Sequence, residues 1–332
     1  MIQVRAFSRL HFGFLNPAVG EGSRLEVSSS RWFGGVGLMI AQPDLCLRVE
    51  PASSWSAEGP LADRALAFAQ RFAEASCRDE KRDRLPPRHV RIECVTPAHA
   101  GLGSGSQLGL SVARALAASW GLRCDLATLA RRTGRGLRSA LGTHGFEHGG
   151  LLVEAGKRAP DELAPLVARQ SFPEEWRVVV ALPGGTAGLH GRGEVQAFAR
   201  LTAEPTTVRR AETLCRLVLL GLLPALVERD VDAFGEALYE LNARVGEAFA
   251  PMQGGVYASG RVAEVVAFVR SQNIRGVAQS SWGPAVFAVV ADEEQAPRLA
   301  ARLRQRFALE DAAVWVTAAC NHGAKLATDE HG

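Results

Sequence analysis

The stretch PAHAGLGSGSQLGLSVARAL, from Pro97 to Leu116, alternates glycines with small residues and then continues as an apolar helical pattern. The residues before it, VRIECV, have the composition of a strand. A strand, a glycine loop and a helix in succession leave free backbone N–H groups at the helix N-terminus, where the helix dipole also favours negative charge. The pattern therefore predicts an anion-binding loop. A simple tight turn between strand and helix is the alternative.

This loop differs in sequence from two common phosphate-binding motifs. No lysine follows the glycines as in the P-loop, and the strand-bound context of a dinucleotide-binding G-x-G-x-x-G is missing. Glycine nevertheless allows the backbone to approach an anion closely. We predict the helix after the loop from about Ser106 to Trp120.

The composition is that of an ordinary globular chain. Its 332 residues suffice for two domains, and 47% of them are hydrophobic and 22% charged. The net charge is only +3 and the arginines alternate with acids, so we expect no nucleic-acid partner. Arg5 and Arg9 interrupt the first apolar stretch, and the longest apolar runs are too short to cross a bilayer. We therefore expect a cytoplasmic protein without membrane contact.

The order of the apolar patterns predicts an α+β fold with two domains. Residues 1–170 contain strands at MIQVRAFSRLHFGFL and LCLRVEP, a helix at ADRALAFAQRFAEA, and a glycine-rich region, GTHGFEHGGLLVEAG, that ends as a strand. Residues 171–332 are richer in helix, with two long amphipathic helices from about Thr206 to Ala250, a shorter one from Gly260 to Ser271, and a β-turn-β-α-β ending. The six cysteines lack metal-binding spacing, and we expect all of them to be buried free thiols, with no zinc site.

The stretch from Pro97 to Leu116 resembles the P-x-x-x-G-L-G-S-S-A motif of the GHMP superfamily. This superfamily includes the small-molecule kinases for galactose, homoserine, mevalonate and phosphomevalonate. Five residues match the motif position by position: Pro97, Gly101, Leu102, Gly103 and Ser104. Gly105 replaces the second serine, and Ser106 is a candidate to supply that hydroxyl. In the kinases this loop wraps nucleotide phosphates.

Two further segments resemble motifs of the same superfamily, in the expected order. SRLHFGFLNP and RWFGGVGLMI occupy the region of the substrate-binding first motif, and AQSSWGPAVFAVV resembles the third glycine-rich motif. The resemblance covers nearly the whole chain. It implies a ribosomal-S5-like N-terminal domain and a ferredoxin-like C-terminal domain.

Details of these motifs point away from a kinase. The third motif has serines, a tryptophan and a proline where kinases have G-x-G-x-G-G. The set SRLHFGFL, GGVGL, GLGSGSQLGL, GTHGFEHGGLLVEAG and QSSWGPAVF is instead similar to the β-ribofuranosylaminobenzene 5'-phosphate synthase family, a non-kinase branch. That family condenses phosphoribosyl pyrophosphate with 4-aminobenzoate, or with 4-hydroxybenzoate in some members, in tetrahydromethanopterin biosynthesis. Pyrophosphate and carbon dioxide are released.

The implied reaction assigns binding roles to several residues. The departing pyrophosphate needs N–H dipoles and Mg²⁺, the implied cofactor, and the candidates to bind it are Gly101, Gly103, Ser104, Gly105 and Ser106. Arginines suit bidentate contacts with a carboxylate and a 5'-phosphate. The candidates are Arg9, Arg31 and Arg192, for each of which a surface role is the alternative. Gly35 and Gly37, in GGVGL, are further candidates for substrate binding.

Three residues are the catalytic candidates. His11 could orient a hydroxyl or phosphate, and a satisfied core histidine is the alternative. Glu147 and His148 could steady the cationic sugar or move a proton, and a salt link between loops is the alternative. Ser106 and Glu147 are the candidate protein ligands of Mg²⁺.

The third motif supplies the remaining candidates. Ser280 and Ser281 can donate to phosphate, while Trp282 either stacks on the aromatic acid or caps the core. A polar loop follows a predicted strand and suggests a substrate lid or plain exposure: His190, Arg192 and Glu194.

Two other functions stay open on the sequence alone. One is an ATP-dependent GHMP small-molecule kinase, and the other is a non-catalytic sensor on the same fold. We expect a homodimer, and the apolar helices between Thr206 and Ala250 are candidates for its contact.

Overall fold

The computed structural model describes residues 1–16, 31–184 and 207–328, which form two β-sheets covered by helices. The seven strands of the first sheet are β1 (Ile2–Asn16), β2 (Phe33–Pro51), β3 (Ser56–Glu58), β4 (Arg88–Cys94), β5 (Leu151–Glu154), β6 (Leu166–Gln170) and β11 (Lys325–Thr328). The four strands of the second sheet are β7 (Arg177–Ala181), β8 (Gly276–Gln279), β9 (Val286–Val290) and β10 (Val314–Thr317). The fold is a mixed helix and sheet architecture, as predicted.

The described residues contain nine α-helices. Their bounds are α1 (Ala62–Glu80), α2 (Ser104–Ser119), α3 (Leu126–Thr133), α4 (Leu141–His148), α5 (Thr207–Leu217), α6 (Leu223–Glu228), α7 (Val231–Gln253), α8 (Gly260–Ser271) and α9 (Gln295–Phe307). A π-helical segment, Val218–Leu222, joins α5 to α6. No helix in the described ranges is both long enough and apolar enough to span a bilayer.

The first sheet is centred on a long pairing of β1 with β2. The two strands run antiparallel along the whole of β1, and the register shifts between Phe7 and Ser8 and again between His11 and Gly13. Such bulges bend a strand and redirect its side chains. Arg9 lies between the two shifts, so this irregular part of β1 is the part that faces the glycine loop.

Helix α2 is held against the sheet by a nearly continuous apolar surface. Its buried side chains include Leu108, Val112 and Leu116, which pack with residues of β1, β2, β4 and α1. Gly109 lies against the ring of Phe68 from α1. This packing fixes the direction of α2 and therefore the direction of its N-terminal N–H groups.

Most predicted elements are present with small changes in their bounds. Helix α2 begins two residues earlier than predicted, at Ser104, and the helix predicted from Gly260 to Ser271 has those bounds. The predicted β-turn-β-α-β ending is β8, β9, α9 and β10. Asp125 and Ser259, residues of the N-capping type, cap α3 and α8 through their side chains.

The glycine-rich region around His144, for which the sequence predicts only a strand at its end, begins with helix α4. Its glycines permit close packing: a Cβ at Gly145 would lie 2.2 Å from the sulfur of Met39. Two helices were expected between Thr206 and Ala250, and the first is divided by the π-helical segment. The six cysteines are free thiols as predicted, but only Cys46 and Cys320 are buried. Cys215 is exposed, and the other three are half-buried: Cys77, Cys94 and Cys124.

The change from one sheet to the other falls between Gln170 and Arg177, close to the predicted division at residue 170. The predicted second domain, residues 171–332, is nevertheless not continuous. Strand β11 pairs with β1 and so belongs to the first sheet. It has four exposed residues and no apolar alternation, which is why the sequence gives no sign of it.

Candidate active site

Three segments that are far apart in the sequence meet at the hydroxyl of Ser280. This hydroxyl donates to the carbonyl of Gly101 at 2.7 Å and accepts from the backbone N–H of His11 at 3.0 Å. Ser280 is fully buried. One side chain of the third motif therefore joins the glycine loop to β1.

Backbone hydrogen bonds reinforce this junction. The N–H of Arg9 donates to the carbonyl of Leu102 at 2.9 Å, and the N–H of Ser281 donates to the carbonyl of His11 at 3.0 Å. Gly101 has a φ of +86°, and a Cβ there would lie 2.2 Å from the carbonyl oxygen of Ser280. Only glycine fits at this position, because the third motif fills the space where a side chain would be.

Gly103 forms the N-terminal boundary of α2. It has a left-handed backbone, with a φ of +79° and a ψ of 13°, and its carbonyl accepts from the N–H groups of Ser106 and Gln107. The first N–H groups of a helix have no partner within it. The side chain of Arg9 lies over the turn, since a Cβ at Gly103 would be 3.3 Å from its Nε. The predicted anion-binding loop thus combines a helix N-terminus with a cation.

A small cleft of about 30 Å³ lies beside His11. Its lining includes Phe14, Asn242, Phe249 and Trp282, so that side chains of β1, α7 and the third motif form its walls. The cleft is mainly apolar with a few polar groups, as ligand sites commonly are.

His11 contributes a buried, neutral imidazole to this cleft. The side chain is 2% exposed, and neither ring nitrogen has a hydrogen-bond partner within the described residues. Burial holds the pKa of His11 well below its usual value, and the charge of Arg9 lowers that pKa further. Both nitrogens thus lie buried without a partner among the described residues, and the role of His11 stays a prediction.

Trp282 is both a wall of the cleft and part of the core. Its ring meets that of Phe249 edge-on, with the centroids 4.1 Å apart, and only 7% of the residue is exposed. It also packs with Phe14 and Phe33. The predicted alternative of a core cap is therefore correct, and the ring still borders the space that a ligand would occupy.

Glu154, which the sequence analysis did not select, is buried at the end of β5. One carboxylate oxygen accepts from the N–H of Ala140 at 2.6 Å, and the other lies 3.5 Å from the place of a Cβ at Gly35. Burial raises the pKa of Glu154 to about 7, against the opposing effect of hydrogen bonds and of the charges of Arg9 and Lys157. A single acid at the end of an apolar strand, LLVE, was the only sign in the sequence.

The structure does not bring Glu147 and His148 to the glycine loop. Both lie on the last turn of α4, whereas the contact of α4 with Ser106 is made by Gly142, about 7 Å earlier along the helix. The carboxylate of Glu147 pairs with Arg114 and faces a groove lined by Lys325. The predicted placement is wrong because the segment is a helix and turns these side chains away.

This geometry also excludes the predicted pair of magnesium ligands. Two oxygens on one Mg²⁺ lie within about 4 Å of each other, while Glu147 is paired with a residue two helical turns beyond Ser106 on α2. No group of three or more His, Cys, Asp or Glu side chains in the described ranges could hold a metal ion. Among the described residues, Ser106 and Glu147 therefore do not form a magnesium site together.

Several other predicted binding residues have structural roles. Ser280 donates its proton to Gly101, so it supports the loop and does not offer that proton to a phosphate. A Cβ at Gly37 would lie 2.5 Å from the carbonyl oxygen of Leu10, which explains the glycine by strand packing. The space at Gly35 is less restricted, since a Cβ there would lie 3.2 Å from the carbonyl oxygen of Gly13. Arg31 donates to the carbonyl of Gly156 at 2.9 Å.

Some of the remaining predicted residues lie at the glycine loop or the cleft, and the others lie outside the described residues. Ser104 and Gly105 begin α2, and Ser281 lines the cleft with a φ of +56°. The predicted lid lies outside the described residues: His190, Arg192 and Glu194.

Fold and site together define a protein of the GHMP class. Residues 64–150 match the GHMP kinases N terminal domain, and residues 222–309 match the GHMP kinases C terminal model. Among solved structures, mevalonate diphosphate decarboxylase from Staphylococcus aureus is similar with a TM-score of 0.66 at 12% identity, covering 99% of each chain. Mevalonate kinase of Methanococcus jannaschii has a TM-score of 0.64 at 10% identity, covering 97% of this chain and 98% of its own.

Curated relatives define the branch within this class. The β-ribofuranosylphenol 5'-phosphate synthase of Methanothermobacter thermautotrophicus is 31% identical over 301 residues, which are 85% of this chain and 86% of the relative. The protein of that name from Archaeoglobus fulgidus is 32% identical over 256 residues, 73% of this chain and 75% of its own. The chain belongs to the β-ribofuranosylphenol 5'-phosphate synthase family of the GHMP superfamily. The predicted non-kinase branch is confirmed.

Proposed function

We propose that this protein is a decarboxylating phosphoribosyltransferase that joins phosphoribosyl pyrophosphate to a para-substituted benzoate. The bond from ribose C1 to the diphosphate oxygen breaks, and a C–C bond forms to the ring carbon that bears the carboxylate. The carboxylate leaves as carbon dioxide, and its electron pair restores the aromatic ring. The observation that carries the proposal is the meeting of the three family motifs around the glycine loop, at the hydroxyl of Ser280.

The glycine loop is suited to the departing diphosphate. Negative charge builds up on the leaving oxygens as the sugar becomes cationic, and preorganised N–H dipoles stabilise such charge. The N-terminal turn of α2 supplies these dipoles, and Arg9 adds a guanidinium over Gly103. No step of the proposal passes through a protein-bound metal ion. Mg²⁺ remains a predicted companion of the diphosphate.

We propose that the apolar cleft beside His11 widens to take the aromatic acid, because at about 30 Å³ it is smaller than a benzoate ring. Its walls include the rings of Phe14, Phe249 and Trp282, which favour a flat apolar ring. The neutral imidazole of His11 can donate from one nitrogen and accept at the other, and both are without partners in the described residues. We propose that His11 orients a polar substituent of the benzoate.

The relatives bear on the choice of acceptor. Their name refers to a ribofuranosylphenol, which favours 4-hydroxybenzoate as the acceptor of this protein. The aminobenzoate reaction stays the second candidate, since the two acids differ in one para substituent. We place both in tetrahydromethanopterin biosynthesis, as the family resemblance implies.

We also propose that the protein is a homodimer. The π-helical segment and α6 expose three apolar side chains, Leu219, Leu220 and Val227, which are between 62 and 67% exposed. Solvent exposure of neighbouring large apolar groups is unfavourable, and a second copy would cover them. Analytical sedimentation of the unchanged protein and of a Leu220→Lys variant tests this contact. We expect the mass of a dimer for the unchanged protein and a lower mass for the variant. The same mass for both proteins would reject this contact.

The function is tested by incubating the purified protein with Mg²⁺, phosphoribosyl pyrophosphate and carboxyl-labelled 4-hydroxybenzoate or 4-aminobenzoate. We expect labelled carbon dioxide and pyrophosphate in equal amounts. A parallel reaction contains ATP with homoserine, mevalonate or galactose. ATP turnover with an alcohol acceptor, without release of carbon dioxide, would favour the kinase alternative, which rests on the fold alone. Ligand binding without any product would favour the sensor.

A further inference from the structure

Two arginines from outside the glycine loop converge on Gly105, in the first turn of α2. A Cβ at Gly105 would lie 3.1 Å from NH2 of Arg64 and 3.5 Å from NH1 of Arg135. Arg64 is in the first turn of α1, and Arg135 follows the end of α3. Three separate elements therefore direct positive charge and free N–H groups toward one place.

Among the described residues, the charges that act on the pKa of Arg135 are all positive. Burial lowers the pKa of the Arg135 guanidinium, and the charges of three further arginines lower it again: Arg64, Arg71 and Arg138. Among the described residues, no carboxylate contributes to the pKa of Arg135. Within the described residues, Arg64, Arg71 and Arg135 take part in no ion pair, and the buried Nε of Arg135 has no hydrogen-bond partner.

Two neighbouring arginines on α3 form ion pairs with acidic residues. Arg131 pairs with Asp79 at 2.9 Å, and Arg132 pairs with Asp79 and with Glu80 at 3.0 and 3.1 Å. Acids of α1 neutralise these two arginines, whereas Arg64 and Arg135 beside Gly105 have no acidic partner in the part of the chain that the structure describes. Like charges placed together without counter-charges are unfavourable, and a bound anion would remove that cost.

The cluster is held in place by packing. The guanidinium of Arg135 lies over the ring of Phe68, 4.9 Å from its centroid. Arg71 lies against Gly134, where a Cβ would be 2.5 Å from its NH2. A guanidinium fixed in this way loses less entropy on binding and keeps the fork geometry that matches phosphate oxygens.

We propose that Arg64 and Arg135 bind the diphosphate of the activated sugar beside Gly105, with Arg71 and Arg138 adding to the positive potential. This rests on the proposed function for the identity of the sugar. A diphosphate carries several negative charges on two adjacent groups. It therefore matches a cluster of cations better than a carboxylate, with its single charge, does. The arginines thereby hold the leaving group after the bond to ribose C1 breaks.

The test is calorimetric titration of the full-length protein at constant ionic strength with two probes, inorganic pyrophosphate and ribose 5-phosphate. The variants are Arg135→Gln and Arg64→Gln. Arg131→Gln is the matched control, because it removes an arginine four residues away that is already paired with Asp79. We expect each test variant to bind pyrophosphate about tenfold or more weakly, with ribose 5-phosphate and the control unchanged within about twofold.

Wild-type affinity for pyrophosphate in both Gln variants would overturn the proposal. Weaker binding of ribose 5-phosphate alone would also overturn it, because the cluster would then hold the 5'-phosphate. If Arg135→Gln fails to fold, Arg64→Gln and the charge-conserving Arg135→Lys decide the matter. Binding of pyrophosphate needs no turnover, so a protein that binds it through these arginines but releases no carbon dioxide would contradict only the proposed function.

Discussion

Arg9 acts electrostatically on two buried titratable residues. Its charge lowers the pKa of Glu154, which burial has raised to about 7, and it adds to the effect of burial in lowering the pKa of His11. The same side chain lies over the glycine loop. A substituent of the substrate that approaches Arg9 would therefore also change the protonation of groups deeper in the site.

Glu154 makes the stability of the protein depend on pH. Its pKa is higher in the folded protein than the usual 4.5, so the folded state holds this proton more tightly than the unfolded state does. The contribution of Glu154 to the free energy of unfolding is therefore largest below pH 4.5, where the carboxyl is protonated. It falls by about 3 kcal/mol as the pH rises through about 7 and the carboxyl ionises in the folded protein. We predict that Glu154→Gln removes this loss, as measured by urea unfolding at pH 5 and pH 8.

His11 affects stability in the opposite direction, because it must remain neutral and so destabilises the folded state as the pH falls below 6.5. Comparison of Glu154→Gln with the unchanged protein at each pH cancels that contribution. Glu212→Gln is the control, because Glu212 is exposed and its substitution should leave the pH dependence of stability unchanged. Equal pH dependence in the Glu154→Gln variant and the unchanged protein would show that Glu154 is not buried in this way.

Ser280 offers a second test at the level of one residue. Removal of its hydroxyl in Ser280→Ala leaves the carbonyl of Gly101 and the N–H of His11 without this partner. We predict a loss of about 2 kcal/mol in the free energy of unfolding, together with weaker pyrophosphate binding, because the loop is no longer joined to β1. Ser271→Ala, at an exposed hydroxyl of α8, should change neither; an equally mild effect of the two variants would contradict the role given to Ser280.

Among the elements, α2 carries the chemistry through its N-terminus. Gly103 and Gly121 flank this helix, and both have a left-handed backbone, with φ of +79° and +67°. A Cβ at Gly121 would meet nothing within 4 Å, whereas one at Gly103 would meet Arg9. Substitution of either glycine strains the backbone, but only a side chain at Gly103 would also obstruct the anion site. Comparison of the two variants therefore distinguishes the two effects.

We predict that Gly103→Ala lowers kcat/KM for phosphoribosyl pyrophosphate by about tenfold or more, while Gly121→Ala leaves it within about twofold. Both substitutions impose a similar conformational strain of about 1 kcal/mol. Steady-state rates of carbon dioxide release, with unfolding curves for each variant, make the comparison. Similar losses of activity in both variants would mean that strain, and not access to the N–H groups, is responsible.

Local sequence predicted the elements better than it predicted the site. The strand, loop and helix around Gly103 could be predicted because periodicity and glycine spacing act over a few neighbouring residues. Helix α4 was missed because the fit of Gly145 against Met39 depends on a strand a hundred residues earlier. Glu154 and Arg135 could not be selected for the same reason, since their burial and charged neighbours are set by tertiary packing.

For the whole molecule, the site depends on segments from both ends of the chain. His11 and Ser280 are 269 residues apart and share a hydrogen bond, and Asn242 of α7 donates to the carbonyls of Phe12 and Gln279. The two sheets are thus tied together at the cleft. Motif order predicted that these segments belong to one site, but only the folded chain gives their contacts.

The measurement that tests the central claim most directly is a crystal structure of the protein with phosphoribosyl pyrophosphate bound. We predict diphosphate oxygens about 3 Å from the backbone N–H groups at Ser104 to Ser106, with the guanidinium groups of Arg64 and Arg135 in contact with them. A diphosphate bound in another part of the protein, with the glycine loop empty or in contact with the 5'-phosphate, would contradict this claim.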